Sequence, residues 1–171
     1  MNLKTELRQE NSKAPIHRMA AYIGDNPDRF AQLMLLFFGA DDRIAEKAAS
    51  VLSHCADRHS FLLHPYVPKL IINLEKTKLA AVKRNTLRVL QYIVIPEGWQ
   101  GKLTDCCFKF LVTDEPVAVK VFAMSVLANL AKQEPDLKNE LKICIEDQLP
   151  YASPAFVSRA KKVLRLLDNL S

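Results

Sequence analysis

The sequence predicts an all-α protein made of about four tandem helical hairpins, preceded by a helical cap at the N-terminus. Its clearest feature is the dipeptide Val-Leu, which recurs every 37 or 38 residues, at Val51, Val89, Val126 and Val163. A constant interval of this size is typical of helical repeats, in which each hairpin buries its apolar face only against its neighbours. Composition agrees, because 49% of the 171 residues are hydrophobic and only 4 are glycine, which leaves little room for β-hairpins or long loops.

The residues before each Val-Leu pair share the pattern of one helix. Apolar or small residues occupy every fourth position, and residues at this spacing lie on one stripe of an α-helix. The four stripes are Ile44-Ala48-Leu52, Val82-Thr86-Leu90, Val119-Ala123-Leu127 and Phe156-Ala160-Leu164. A small residue at the centre of each stripe allows the helix to approach a neighbour closely.

Prolines and capping residues indicate where helices begin. Asn26-Pro27, Glu115-Pro116 and Ser153-Pro154 are predicted starts, because proline in the first turn does not need its missing amide hydrogen. The first helices of the hairpins are predicted at residues 28–38, 65–76, 99–112 and 136–148, and the second helices at 42–56, 78–93, 117–132 and 154–169.

The expected organisation is a single domain over residues 1–171. Shorter helices at 3–9 and 15–23 are predicted to form the N-terminal cap, within residues 1–25. The repeats are predicted at 28–59, 63–95, 99–133 and 136–171.

Two of the second helices resemble the HEAT repeat family. Val82-Lys83 and Val119-Lys120 are each followed by a small residue four positions after the valine and by a leucine eight positions after it. The second helix of HEAT repeats has this pattern, commonly with arginine at the lysine position. The resemblance covers residues 29–171 and implies a right-handed α-α superhelix, a HEAT-like or armadillo-like solenoid whose second helices line the concave surface. The family also places Asp three residues before the valine, a position that here holds Asp41, Leu79 and Pro116. A complete polar ladder between repeats is therefore not predicted.

Membrane and secretory classes are disfavoured by the sequence. The longest uninterrupted apolar segment, residues 33–40, is far shorter than a membrane span. The first residues lack the apolar run and cleavage site of a signal peptide. We therefore expect a cytoplasmic protein without a membrane partner.

The cysteines are predicted to be buried free thiols rather than ligands or disulfides, because Cys55, Cys106, Cys107 and Cys144 all lie in helical patterns. The metal alternative uses His54, Cys55, His59 and His64. Structural zinc sites use two closely spaced ligand pairs, which this segment does not provide. We expect no metal and no cofactor.

Positive charge is concentrated in the second helices. Residues 78–95, 118–133 and 155–167 together hold ten basic residues and no Asp or Glu, although the net charge of the chain is only +5. The rest of the chain is therefore acidic overall. With the resemblance, this pattern implies a basic concave surface and a more acidic outer surface.

Helical phase divides these cations into two groups, with the apolar stripe as the reference direction. The residues that point away from the stripe are Arg84, Arg88, Lys162 and Arg165. Those on its flanks, where a long stem covers apolar surface, are Lys83, Lys120 and Arg159. All seven are candidate partner-binding residues, and the flanking three also suit a structural role. The alternative is a solvated face with no partner.

Three functions fit this surface. The first is a non-enzymatic protein-interaction scaffold that binds an acidic protein partner. The second is nucleic-acid binding through phosphate contacts. The third is a glycosylase-like enzyme, because HEAT-like DNA alkylation-repair glycosylases resemble this chain in architecture and charge. No catalytic residue is predicted, since Trp99 begins a first helix and no catalytic motif is present.

A monomer or a weak homodimer is expected. Polar outer faces on the end repeats favour a monomer. The final helix carries an apolar strip for association, composed of Val163, Leu164, Leu166, Leu167 and Leu170.

Overall fold

The computed structural model describes residues 1–9 and 13–170, and all regular secondary structure in this part of the chain is helical. The all-α prediction is therefore confirmed. The backbone groups into two compact units, residues 1–93 and 94–171. The single domain expected from chain length stays a prediction. Each helix in the described residues is too short or too polar to cross a membrane.

In the first unit, α4 lies at the centre. It packs against α2 and α3 of the N-terminal part and against the later helix α6. The helices of the described residues are α1 (Leu3–Arg8), α2 (Lys13–Ile23), α3 (Pro27–Phe37), α4 (Asp42–His59), a 3₁₀ segment (Ser60–Tyr66), α5 (Val67–Lys76) and α6 (Ala80–Leu90). Helices α3 and α4 form one hairpin, and α5 and α6 form the next.

Polar side chains cap two helices of this unit. The Asn26 side-chain oxygen accepts hydrogen bonds from the backbone N–H groups of Asp28 and Arg29, each at 3.0 Å, and Pro27 lies in the first turn. Asp41 accepts a bond from the N–H of Ile44 at 3.2 Å. These bonds satisfy amides that have no partner inside the helix. Asp41, which matches the family pattern, therefore serves as the N-cap of α4.

Helices α5 and α6 each begin two residues later than predicted. The segment expected to be helical from residue 65 is a 3₁₀ turn up to Tyr66, and α5 begins at Val67. Pro65 has no amide hydrogen and disfavours α-helical geometry at the residue before it. Pro68 lies in the first turn of α5, where proline is tolerated.

In the second unit, α8 is the central helix. The helices are α7 (Glu97–Val112), α8 (Val117–Ala131), α9 (Leu137–Gln148), a 3₁₀ turn (Leu149–Tyr151) and α10 (Pro154–Asp168). Helix α8 packs against α7, α9 and α10. Pro154 lies in the first turn of α10 as expected, whereas Pro116 is the N-cap of α8 and not a first-turn residue.

The apolar stripes form the core of both units. Every stripe residue is buried except Leu164, which is half-buried on α10. The central small residues Ala48, Ala123 and Ala160 are fully buried, as close helix contact requires. The fourfold spacing thus predicted the buried face of each second helix.

The cysteines have no disulfide bonds, and Cys55, Cys106 and Cys107 are buried as expected, whereas Cys144 is only half-buried. Burial raises the pKa of the Cys55 thiol to about 12 and also raises that of Cys107. These thiols are therefore protonated at neutral pH and are poor nucleophiles.

The apolar strip of the final helix is largely covered. Val163 and Leu167 are buried, and Leu164, Leu166 and Leu170 are half-buried. The expectation of an exposed strip is wrong because α10 turns these residues toward α8 and α9. The monomer or weak homodimer stays a prediction without this support.

Candidate functional site

The three candidate cations of α6 have different surroundings. Arg84 is exposed and has no partner among the described residues. Arg88 is only 31% exposed, and its Nη2 lies 3.1 Å from each carboxylate oxygen of Asp57 on α4. Lys83 is half-buried and is not free. The carboxylate of Asp57 offsets the charge of Arg88, so Arg84 is the cation of α6 that is available to a partner.

The flanking cations of the second unit contact neutral groups. Lys120 Nζ donates to the side-chain oxygen of Gln148 at 3.1 Å and thereby joins α8 to α9. Arg159 Nη1 donates to the Ser125 hydroxyl at 2.6 Å, and its guanidinium carbon lies 5.9 Å from the centre of the Phe122 ring. Both residues therefore connect neighbouring helices. Because their partners carry no charge, they still contribute positive potential.

Helix α10 presents three exposed cations on one side. Lys162 and Arg165 were predicted, and Lys161 lies beside them. No partner for any of the three exists among the described residues. They border an open groove of about 490 Å³, which is also lined by Ala152, Pro154, Val157 and Ser158. Sequence reasoning did not select Lys161, although its helical phase is as far from the centre of the apolar stripe as that of Arg159.

A buried polar contact joins the second helices of the first unit. Ser53 Oγ on α4 donates to Asn85 Oδ1 on α6 at 2.7 Å, and both residues are buried. Asn85 Nδ2 donates to the backbone oxygen of Ala81 at 2.9 Å. Polar contacts between repeats are therefore present, through residues other than the Asp of the family pattern. Asn85 lies three residues after Val82 and four before Val89, and this spacing on one helical face was the signal that sequence reasoning overlooked.

Two histidines meet near the Arg88–Asp57 pair. The rings of His17 on α2 and His54 on α4 have centroids 4.3 Å apart. Burial is the main cause that lowers the pKa of His54, and the positive charges of His17 and Arg88 add to it, while Asp57 opposes it. Within the described residues, no three His, Cys, Asp or Glu side chains are grouped as metal ligands.

We expect the chain to become less stable as the pH falls from about 8 to about 5, in part because of His54. Its pKa in the folded state is below the ordinary value of 6.5. Between the folded-state pKa and 6.5, the unfolded chain therefore binds more protons than the folded chain. The stability that is present above pH 6.5 is lost as the pH falls through the folded-state pKa. Urea denaturation at several pH values measures the effect. His54→Gln should flatten the dependence and His64→Gln, at an exposed position, should not; equal slopes in all three proteins would contradict the prediction.

Comparison with known proteins agrees with this architecture. A family model described as a HEAT repeat domain matches residues 3–167. The chain therefore belongs to the HEAT repeat family. It is also similar to the crystal structure of an engineered protein, with a TM-score of 0.64 and 17% sequence identity over 96% of this chain and 79% of that chain. At this identity the similarity shows the fold alone. A search of curated proteins found no match.

Proposed function

We propose that this protein is a non-enzymatic interaction scaffold that offers a basic surface to an acidic protein partner. The observation that carries the proposal is the set of exposed cations on the second helices that no carboxylate of the described residues neutralises, namely Arg84 in the first unit and Lys161, Lys162 and Arg165 in the second. Helix α6 contains no acidic residue, and the single acid of α10, Asp168, pairs with Lys142 at 3.1 Å. Cations in such surroundings attract carboxylates and accelerate association with an acidic partner.

Membership in a helical repeat family supports an interaction role, because repeated hairpins offer extended surfaces with little constraint on their exposed residues. The free thiols support the cytoplasm as the location of the proposed activity. Lys83, Lys120, Arg88 and Arg159 have intrachain interactions. In this proposal each of them contributes charge and rigidity within its own unit, while the exposed cations of each unit are the ones that contact a partner.

A protein partner suits the surface better than a nucleic acid. Single-strand binding uses aromatic side chains interleaved with cations. Tyr92, eight residues after Arg84 in the sequence, is exposed, whereas Phe122 in the second unit is half-buried beside Arg159. In the described part of the chain, the exposed face of α10 carries no aromatic residue.

The test is a selection of random peptides on the full chain, combined with a binding assay for a mixed-sequence DNA duplex. We expect the enriched peptides to be acidic and the duplex not to bind at about 200 mM salt. Enrichment of neutral or basic peptides would overturn the proposal. Duplex binding with a slope of about −3 to −4 in log K against log salt, the value for four phosphate contacts, would establish the nucleic-acid alternative instead.

A further inference from the structure

The repeat interval relates the exposed face of α10 to a covered face of α8. Counting back 37 residues from Lys161, Lys162 and Arg165 gives Met124, Ser125 and Ala128. These three residues of α8 are all buried. Helix α10 packs on α8, and Arg159 of α10 donates its hydrogen bond to Ser125 on this face. The positions that receive a helix in one repeat are therefore open and basic in the next.

The groove beside these cations combines apolar and charged surface. Ala152, Pro154 and Val157 supply apolar lining, and Lys161, Lys162 and Arg165 supply the charges. Within the second unit, α10 packs on α8, on α9 and on the 3₁₀ turn before it. Those contacts involve its buried residues Phe156, Ala160, Val163 and Leu167, so the opposite side of α10 remains available.

We infer that this face of α10 docks an acidic, amphipathic α-helix of a partner protein, in the way that α10 itself lies on α8. The inference rests on the proposed function and assigns it to a defined surface. Equivalent positions in successive repeats have similar backbone geometry, so the face has the shape to accept a helix. Lysine and arginine at these positions would pair with carboxylates on the incoming helix. The apolar lining would pack against apolar side chains that lie between those carboxylates.

Other occupants would have different properties. A face that only ends the repeat stack needs polar residues of either sign and binds nothing. A second copy of the chain has exposed acids on α9, at Glu140, Glu146 and Asp147, and its binding would appear as self-association. A nucleic acid would bind through phosphates alone, without helix formation or apolar contact.

The experiment uses random peptides of about 15 residues, the length of α10, selected on the full chain. The enriched peptides are then measured against K161E/R165E and against a matched control, K109E/K132E, which makes the same change in net charge at exposed positions of the same unit. We expect the α10 variant to weaken binding at least about tenfold. The control should retain most of the affinity. Circular dichroism of each variant verifies its fold, and the neutral variant K161Q/R165Q should give a smaller loss.

Helix formation by the bound peptide is the second readout. We expect the enriched peptides to gain helical circular dichroism on binding and a central proline to abolish their affinity, because proline breaks a helix interior. Peptides that bind without helix, or that tolerate the proline, would overturn the inference.

The two proposals fail differently. If acidic peptides bind K161E/R165E as tightly as the wild type but lose affinity for Arg84→Glu, the α10 inference is wrong and the scaffold proposal stands. If no acidic peptide is enriched, the scaffold proposal itself fails and the inference falls with it. Self-association in sedimentation velocity that K161E/R165E abolishes would identify a second copy as the occupant and overturn the inference.

Discussion

Leu127→Ala is expected to lower the free energy of unfolding by about 2–5 kcal/mol, because truncation of a buried leucine removes apolar burial and leaves a cavity. Leu127 is fully buried on α8, which packs against three other helices of the second unit. The same substitution at Leu164, which occupies the equivalent position on α10 but is half-buried, should cost clearly less. Urea denaturation of both variants measures the difference.

This pair of variants isolates the effect of burial from that of the local sequence. Each leucine is the last residue of its helix's apolar stripe and follows a valine. Equal losses for Leu127→Ala and Leu164→Ala would show that α10 is covered as completely as α8. That result would contradict the half-burial of Leu164.

Asn85→Ala is expected to destabilise the chain by about 1–3 kcal/mol, because it leaves the buried Ser53 hydroxyl without its acceptor. The substitution also removes the bond from Asn85 Nδ2 to the Ala81 oxygen. Urea denaturation of the full chain measures the loss. The size of the effect reflects the burial of both partners, since an exposed pair would exchange its bond for water at little cost.

A double-mutant cycle tests whether the pair acts as a unit. Ser53→Ala and Asn85→Ala remove the same hydrogen bond, so the double variant should be more stable than the sum of the single losses implies. Strict additivity would show that the Ser53–Asn85 hydrogen bond does not contribute to stability. Ser50→Ala, whose hydroxyl lies 3.5 Å from the backbone oxygen of Glu46, is a suitable control, and we expect it to have little effect.

The sequence predicted much of the helical architecture because the relevant signals are local. Fourfold spacing of apolar residues, first-turn prolines and caps such as Asn26 act within one or two turns of the chain. Helix ends were less exact: α4 ends three residues later and α6 three residues earlier than predicted, and α5 begins two residues later, where Pro65 and Pro68 lie close together. The sequence prediction placed the start of this helix at Pro65, whereas Pro68 is the proline in the first turn of α5.

The candidate surface was less predictable. Helical phase showed that Arg84 and Arg88 point away from the apolar stripe, but phase describes one helix and contains no information about its neighbour. Asp57 lies 31 residues before Arg88 in the chain and within hydrogen-bond distance in space. Packing therefore neutralised one predicted cation and left the other exposed.

The chain's own patterns were thus sufficient for the helices, their buried stripes and the family, since each depends on contacts a few residues apart or on a repeated interval. Which cations remain free depended on packing between helices. Ser53 and Asn85, Ser125 and Arg159, and Asp57 and Arg88 are each separated by about one repeat. Short-range hydrogen bonds and ion pairs act over a few ångströms, so partners this far apart in sequence are chosen only when the hairpins stack.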